Sequence, residues 1–241
     1  MLPDNQFQRL SLHLVDALLV FLARWLIKAV GITSQSKYFM VNMIRVAVTG
    51  GIACGKSLAA SMMEATGVPV CEADAVAHAL MRPGMGAYRA VVDAFGAGIL
   101  ATDGTIDRRI LGDIVFNDET KRRRLNVLLH PAVRVEIQRW LDERDRAGFR
   151  MAAAVIPLLF EAGMAEGWDA VVCVACREPL QMERLRSRGL DAAACRARLD
   201  AQMPLDEKVR KSDFTIWNDG SPDELSESVR QVLKGIEERN T

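Results

Sequence analysis

The sequence has no excess of charge of either sign and few aromatic residues. Its 31 lysines and arginines balance 31 acidic residues, and Phe, Trp and Tyr make up only 6% of the 241 residues. Nucleic-acid-binding proteins use clustered positive charge and aromatic side chains that stack on bases. The composition therefore argues against a nucleic-acid partner. Half of the residues are hydrophobic, which indicates a globular protein with a sizeable core.

Cysteine is too sparse for a disulfide framework or a structural zinc site. The five cysteines are scattered and odd in number, which is not the pattern of a disulfide-rich domain. Cys173 and Cys176 form one C-x-x-C inside an apolar run, but no second ligand pair follows them, and a zinc site needs one. We therefore expect reduced thiols and a cytoplasmic location.

No hydrophobic run in the sequence is long enough to span a membrane. Residues 10–32 are strongly apolar, but the longest uncharged apolar run within them covers only residues 17–23, whereas a spanning helix needs about 20 residues. At helical spacing, the polar residues of this region fall on one side and leave a wide apolar face. The pattern favours an interfacial or docking helix. A signal peptide fits less well, because no A-x-A-like cleavage site follows.

Residues 1–42 differ in character from residues 43–241, so we expect an N-terminal extension followed by one domain. Met43 stands directly before the first predicted strand. It is therefore an alternative first residue of the natural protein. The intact mass of the native protein would distinguish the two starts.

From residue 44 onward, apolar β-branched runs alternate with helical patterns. We predict strands over 44–49, 68–71, 151–157, 169–176 and 213–218, with a closing helix over 221–238. This alternation predicts an α/β fold with a doubly wound five-stranded parallel sheet. Residues 88–146 are too many for a simple crossover and should form a helical insert. The His130-Pro131 step should bend or break a helix there. An arginine-rich helix pair over 178–202 should form a lid.

The octet from Gly50 to Ser57 matches the phosphate-binding pattern G-x-x-x-x-G-K-[ST] between a predicted strand and a predicted helix, which is the context that supports such a motif. Successive backbone N–H groups of this loop can bind phosphate oxygens. Lys56 should reach the β- and γ-phosphates of a nucleotide, and the Ser57 hydroxyl should bind Mg²⁺. We therefore expect nucleotide contacts from Gly51, Ile52, Ala53, Cys54, Gly55, Lys56 and Ser57.

Two acidic residues, Glu72 and Asp74, follow the second predicted strand. Ligands of open α/β sheets bind at the carboxyl ends of the strands, where the phosphate-binding loop also lies. A carboxylate at this edge can orient or deprotonate an attacking hydroxyl. The alternative for Asp74 is a helix N-cap. His78 follows Asp74 by one helical turn and could share its face.

The motifs of this chain resemble those of dephospho-CoA kinases. The resemblance runs from Ile44 to the C-terminus. It rests on motifs that occur in the family's order: VTGGIACGKS, EADAVAH, FGAGIL, DGTIDRRIL, HP, PLLFE, Q-x-x-R-x-x-x-R, ARLDAQ and SDFTIWNDG. Of these, DG-x-x-DR, HP and PLLFE are not general features of phosphate-binding loops, so the set is more specific than the loop alone.

The resemblance implies a kinase that converts ATP and dephospho-CoA into ADP and coenzyme A with Mg²⁺. It implies that Lys56 and Asp74 are catalytic and that Asn218 contacts the nucleotide. Glu72 stands where most relatives have Asp, so its role does not carry over directly. The implied acceptor-side residues are His78, Phe95, Asp107, Arg108, His130, Pro157 and Glu161. Glu161 follows the third predicted strand, where it could instead cap a helix.

The lid pattern contains arginines at helical spacing. Gln181, Arg184 and Arg188 follow the spacing i, i+3, i+7, and Arg198 and Gln202 form a similar pair. Spacing alone is also typical of a solvated charged face. The resemblance favours Arg184 as a catalytic residue and Arg188 as a nucleotide contact, because a guanidinium group can stabilise charge on a transferred phosphoryl group. The basic run over 121–124 is either a solvated helix face or an attractor for the acceptor's pyrophosphate.

The residues by themselves leave two other functions open. The first is another small-molecule kinase of similar architecture, such as a nucleotide or shikimate kinase. The second is a non-catalytic, regulatory phosphate-binding-loop module, which would bind nucleotide without acceptor-dependent turnover. We expect ATP and dephospho-CoA as partners, no membrane span, and a monomer or small homo-oligomer.

Overall fold

A computed structural model describes residues 43–116 and 118–241 of the chain. Five parallel strands form one sheet in the order β2-β3-β1-β4-β5. The strands are β1 (Ile44–Gly50), β2 (Val70–Glu72), β3 (Met151–Val155), β4 (Ala170–Ala175) and β5 (Phe214–Trp217). The predicted α/β class and the five-stranded parallel sheet are confirmed. The predictions for residues 1–42 lie outside the described residues.

The three central strands are nearly all buried, because helices cover both faces of the sheet. All of β3 and β4 is buried, and so is β1 apart from Arg45. Such strands appear in a sequence as continuous small or β-branched apolar runs rather than as alternating patterns. In β1, Val46 and Val48 pack on one face and Ala47 on the other. This double coverage is why the strands were recognisable in the sequence.

Nine α-helices are present in the described ranges. They are α1 (Lys56–Ala65), α2 (Ala73–Leu80), α3 (Tyr88–Phe95), α4 (Arg108–Phe116), α5 (Glu119–Arg146), α6 (Glu178–Arg186), α7 (Ala192–Asp200), α8 (Leu205–Lys211) and α9 (Pro222–Arg239). Helices α1 and α9 share a core with one face of the sheet. Helices α2 to α5 share a second core with the other face.

The stretch over 88–146 is helical, apart from a short 3-10 turn and one antiparallel bridge between Leu100 and Ile106. Helix α5 runs through Pro131 without interruption, so the prediction of a break at this point is wrong. Proline removes the hydrogen bond to the carbonyl four residues earlier. That residue, Val127, is 73% exposed, so water can serve the carbonyl instead. The hydrogen bonds of the rest of the helix and its buried face keep it continuous.

The arginine-rich region consists of α6 and α7, followed by a third helix, α8, which the sequence patterns did not predict. Helix α8 packs against β1 and β4. The last helix, α9, begins at a capping box in which Ser221 and Glu224 exchange hydrogen bonds. Of the helices in the described part of the chain, none has both the length and the apolar character needed to cross a membrane.

Candidate active site

The phosphate-binding loop connects β1 to α1 and curls through unusual backbone conformations. Gly55 caps α1 with a φ of 92°, and Ala53 has a φ of 58°, the only positive φ of a non-glycine residue in the described ranges. The Cys54 N–H donates to the Gly51 carbonyl at 3.3 Å. Left-handed residues turn successive N–H groups toward one side of a loop, which is how such loops bind anions.

Lys56 begins α1 and folds back over the loop. Its Nζ donates to the carbonyl oxygens of Gly50 at 3.2 Å and Gly51 at 2.8 Å. Burial lowers the pKa of Lys56, while the negative charges of Cys54 and Asp74 act in the opposite direction. The ammonium group therefore lies at the loop, where the phosphates of a nucleotide would bind.

The loop and the acidic residues line the same cavity, of about 440 Å³. Lys56 and Ser57 line it from α1, and Glu72 and Asp74 line it from the end of β2 and the start of α2. These two parts of the chain meet because β1 and β2 flank β3 in the sheet and end at the same edge. The cavity thus brings together phosphate-binding groups and carboxylates.

Asp74 does not cap its helix. The N-cap position of α2 is Glu72, which makes no side-chain capping bond, and Asp74 lies in the first turn. Its side chain is exposed to the cavity. A carboxylate that is not needed as a cap is available for a ligand, so the geometry favours a role in binding or catalysis for Asp74.

The two arginines that the helical spacing placed together have different positions. Helix α6 ends at Arg186, so Arg188 lies beyond the helix, and the expected shared face does not extend to it. Arg188 lines the cavity of Lys56 and Asp74. Arg184 instead donates to Ala53 O of the loop at 3.2 Å and to Asn218 O, directly after β5, at 3.1 Å.

Asn218 and Gln181 also hold the loop by its backbone. Asn218 Nδ2 donates to Cys54 O at 2.9 Å, and Gln181 Nε2 donates to Ile52 O at 2.7 Å. A Cβ at Gly55 would lie 2.1 Å from Asn218 Nδ2, so only glycine allows this close approach. Both side chains are buried, and we infer that they keep the loop in its binding conformation.

A second cavity, of about 840 Å³, lies between the helical insert and the lid. It is rich in arginine: Arg108, Arg109, Arg122, Arg123 and Arg198 line it. Glu161, one of the predicted acceptor-side residues, lines it as well. Its five arginines outnumber its three acids, Asp113, Glu119 and Glu161, so the lining has a net positive charge, as an acceptor with a pyrophosphate group would need.

The remaining acceptor-side candidates lie in the helical insert or near it. Arg108 Nη2 donates to His78 Nδ1 at 2.8 Å, and the pKa of His78 is lowered by burial and by this arginine. Asp107 Oδ1 accepts from the N–H groups of residues 109 and 110 and so caps α4. Phe95 packs against the core of the insert. His130 lies within α5, where burial lowers its pKa.

A buried lysine that the sequence patterns did not reveal lies next to the site. Lys208, on α8, has no exposed side-chain surface and binds Glu161 at 2.8 Å and Pro157 O at 2.9 Å. Thr49 Oγ1 donates to the same Pro157 carbonyl. Glu161 also accepts the N–H of Met203. Lys208 stands in the charged sequence LDEKVRK, which is typical of a solvated helix, so no local signal marked it.

Gln202, which helical spacing paired with Arg198, lies where two cavities meet. It lines both the cavity of the phosphate-binding loop and the arginine-rich cavity. Its Oε1 atom is buried and accepts no hydrogen bond from the described residues. A buried acceptor of this kind is costly unless a ligand or water serves it.

Comparisons with known proteins identify the family of this chain. The model of the family described as "Dephospho-CoA kinase" matches residues 44–224. A dephospho-CoA kinase of Geobacillus kaustophilus is 44% identical over 195 residues, which are 79% of this chain and 96% of that protein. One from Thermosynechococcus vestitus is 41% identical over 80% of this chain and 95% of its own length.

Solved structures give the same result. The structure of dephospho-CoA kinase from Campylobacter jejuni has a TM-score of 0.60 and 29% identity, and the match covers 82% of this chain and 98% of that one. The structure of TT1252 from Thermus thermophilus has a TM-score of 0.68 and 29% identity, over 80% of this chain and 98% of that one. This chain therefore belongs to the dephospho-CoA kinase family.

Proposed function

We propose that this chain transfers the γ-phosphoryl group of ATP to the ribose 3′-hydroxyl of dephospho-CoA, which yields ADP and coenzyme A. This reaction is the last step of coenzyme A synthesis. The observation that carries the proposal is the single cavity in which the phosphate-binding loop faces Asp74. A hydroxyl group between them would have a phosphate on one side and a proton acceptor on the other.

In the proposed reaction, the backbone N–H groups of the loop and Lys56 bind the β- and γ-phosphates. Asp74 accepts the proton of the 3′-hydroxyl while the oxygen of that hydroxyl forms a bond to the γ-phosphorus. The bond between that phosphorus and the bridging oxygen of ADP breaks, and ADP leaves with the released electron pair. Arg188 lines the same cavity and would stabilise the negative charge on the transferred group.

The residues of this cavity suit Mg²⁺. The Ser57 hydroxyl and the carboxylates of Glu72 and Asp74 line it, and oxygen donors of this kind are those that Mg²⁺ prefers. The described residues contain no cluster of three or more His, Cys, Asp or Glu side chains that could hold a metal on its own. Such a cluster is not required here, because Mg²⁺ that arrives with ATP needs only one or two protein ligands. When bound, Mg²⁺ would neutralise charge on the phosphates.

We assign the arginine-rich cavity to the acceptor. Dephospho-CoA carries a pyrophosphate, and the guanidinium groups of Arg109 and Arg122 can bind its oxygens with paired hydrogen bonds. Gln202 connects this cavity to that of the loop. Its buried Oε1 could accept a hydrogen bond from a ribose hydroxyl. We also propose that the protein acts in the cytoplasm, because its five thiols are all free, as is usual in that compartment.

The function can be tested by incubating the purified protein with ATP, Mg²⁺ and dephospho-CoA. We expect acceptor-dependent ADP release and a product with the mass of coenzyme A. Parallel reactions with AMP and with shikimate should show turnover at the background rate of ATP hydrolysis. Equal or faster turnover on either of these acceptors would contradict the proposal, and so would nucleotide binding without any acceptor-dependent turnover.

A further inference from the structure

We propose that Cys54 and Cys176 are a disulfide-forming pair, and that their oxidation by a hydroperoxide reversibly disables the phosphate-binding loop. Cys54 is a loop residue, and Cys176 directly follows β4. Their Sγ atoms lie 3.6 Å apart, although 121 residues separate them in the sequence. Neither thiol takes part in the phosphoryl transfer proposed above.

The packing around Cys54 holds its thiol against Cys176. Gln181 Nε2 lies 3.3 Å from Cys54 Sγ. A Cβ on Gly51 would come within 2.9 Å of the same sulfur, so the missing side chain at Gly51 makes room for the thiol. Both cysteines are buried, with 0% and 1% of their surface exposed. The sulfur–sulfur contact is therefore part of the packed structure.

The two thiols differ in acidity in the way that a reactive pair requires. The Cys176 S–H donates to Cys54, and this hydrogen bond, together with the positive charge of Lys56, lowers the pKa of Cys54 to about 7. The pKa of Cys176 is raised, first by that hydrogen bond and then by burial. Since the thiolate is the nucleophile, Cys54 is the thiol that would be oxidised first. Burial raises the pKa of Cys173 to about 11, which leaves that thiol protonated.

A small oxidant can reach Cys176 and the other residues that enclose the Cys54 thiol. Cys176, Gly51 and Gln181 line a third cavity, of about 1010 Å³, which extends to α7 and α8. This cavity shares Ile52 and Gln202 with the cavity of Lys56. Because the sulfurs are almost fully buried, a bulky disulfide reagent is excluded, whereas hydrogen peroxide is close in size to the water molecules that fill such cavities.

The chemistry balances in two steps. The Cys54 thiolate attacks one oxygen of the peroxide, the O–O bond breaks, and Cys54 becomes a sulfenic acid while hydroxide leaves. Cys176 then attacks the Cys54 sulfur, its proton goes to the sulfenic oxygen, and that oxygen leaves as water. The two thiols lose two electrons, which reduce the peroxide.

The disulfide would displace the loop. A disulfide requires the sulfurs to approach from 3.6 Å to about 2.05 Å, and Cys54 is tied to the loop by its own backbone. Its N–H bonds to Gly51 O, and its carbonyl accepts from Asn218. Movement of this residue would change the positions of neighbouring N–H groups. A misplacement of about 1 Å can cost roughly 10²-fold in rate.

The test uses the full chain, reduced, freed of reductant and then treated with hydrogen peroxide. We expect the intact mass to fall by two hydrogen atoms, and we expect a link between the tryptic peptides 46–56 and 151–177. Binding of a fluorescent ATP analogue should weaken by about 10-fold or more, and dithiothreitol should restore it. Neither the mass nor the binding measurement depends on the acceptor, so a wrong assignment of the reaction would leave both intact.

Because peptide 151–177 holds both Cys173 and Cys176, variants must assign the link. Cys176→Ser and Cys176→Ala should keep the ATP affinity of the reduced protein and lose the cross-link, whereas Cys195→Ser should behave as the wild type. A cross-link that persists in both Cys176 variants would overturn the proposal. So would peroxide treatment that leaves Cys54 reduced, or that takes it to sulfinic acid without a disulfide.

Discussion

Asp74 is the residue on which the proposed chemistry depends. We expect Asp74→Asn to reduce kcat by about 10²–10⁴-fold, the usual contribution of a positioned general base, because the amide cannot accept the hydroxyl proton. The KM for ATP should stay near that of the wild type, since the loop and Lys56 bind the phosphates. Steady-state kinetics with both substrates varied would measure this.

Glu72→Gln is the matched control, because Glu72 lines the same cavity two residues before Asp74. Its effect on kcat should be much smaller than that of Asp74→Asn. Near wild-type turnover by Asp74→Asn, or an equal loss in the two variants, would contradict the role of Asp74 as proton acceptor.

Arg188 and Arg184 should have separable effects. Arg188 lines the cavity of Lys56 and Asp74, so Arg188→Ala should lower kcat by roughly 10³-fold if it stabilises the transferred group. Arg184 binds the loop backbone, so Arg184→Ala should mainly weaken ATP binding and lower thermal stability. Kinetics and thermal unfolding of both variants would test the assignment, and a larger loss of kcat in Arg184→Ala would reverse it.

At the scale of elements, the basic run at the start of α5 divides into two pairs. Arg122 and Arg123 line the arginine-rich cavity, whereas Lys121 and Arg124 are not among its lining residues. We expect the double variant Arg122→Gln and Arg123→Gln to raise the KM for dephospho-CoA by about 10-fold, the worth of one or two hydrogen bonds to charged groups, and to spare that for ATP.

The control for this prediction is the double variant Lys121→Gln and Arg124→Gln, which removes the same charge from the same helix. It should leave both KM values close to those of the wild type. Equal changes in the two double variants would mean that the run acts only through its long-range field, or not at all.

The buried pair of Lys208 and Glu161 connects α8 to the segment after β3. Lys208 is fully buried and Glu161 is 23% exposed. Removing the acid leaves an unpaired buried cation, so Glu161→Ala should lower the free energy of unfolding by about 3 kcal/mol. Lys208→Met keeps the volume and leaves a partly solvated carboxylate, so it should cost less. Urea unfolding would give the free energy of unfolding of each variant. A larger decrease in Lys208→Met than in Glu161→Ala would contradict the prediction.

At the scale of the whole molecule, residues 43–241 contain every residue of the candidate site. The family match begins at residue 44, and the described residues belong to one compact unit. We therefore expect a chain that starts at Met43 to keep the kcat and both KM values of the full chain within about 2-fold. A larger loss would show that residues 1–42 contribute to catalysis.

The central strands and the octet from Gly50 to Ser57 could be predicted because their signals are local. A strand that is buried on both faces appears as a continuous apolar run, and a phosphate-binding loop needs its glycines, lysine and hydroxyl within eight consecutive positions. The position of Asp74 in the same cavity as the loop could be predicted because parallel strands end at a common edge. The buried position of Lys208 on α8 could not be predicted, because its charged sequence is typical of a solvated helix.

By itself, the sequence determined the fold class, the phosphate-binding loop and the family, since each depends on short patterns whose physical requirements lie between near neighbours. Only the tertiary structure separated Arg188 from Arg184, buried Lys208 against Glu161 and brought Cys176 to Cys54. These contacts join segments that are distant in the chain. Their geometry follows from how the helices and strands pack, which no periodicity within one segment expresses.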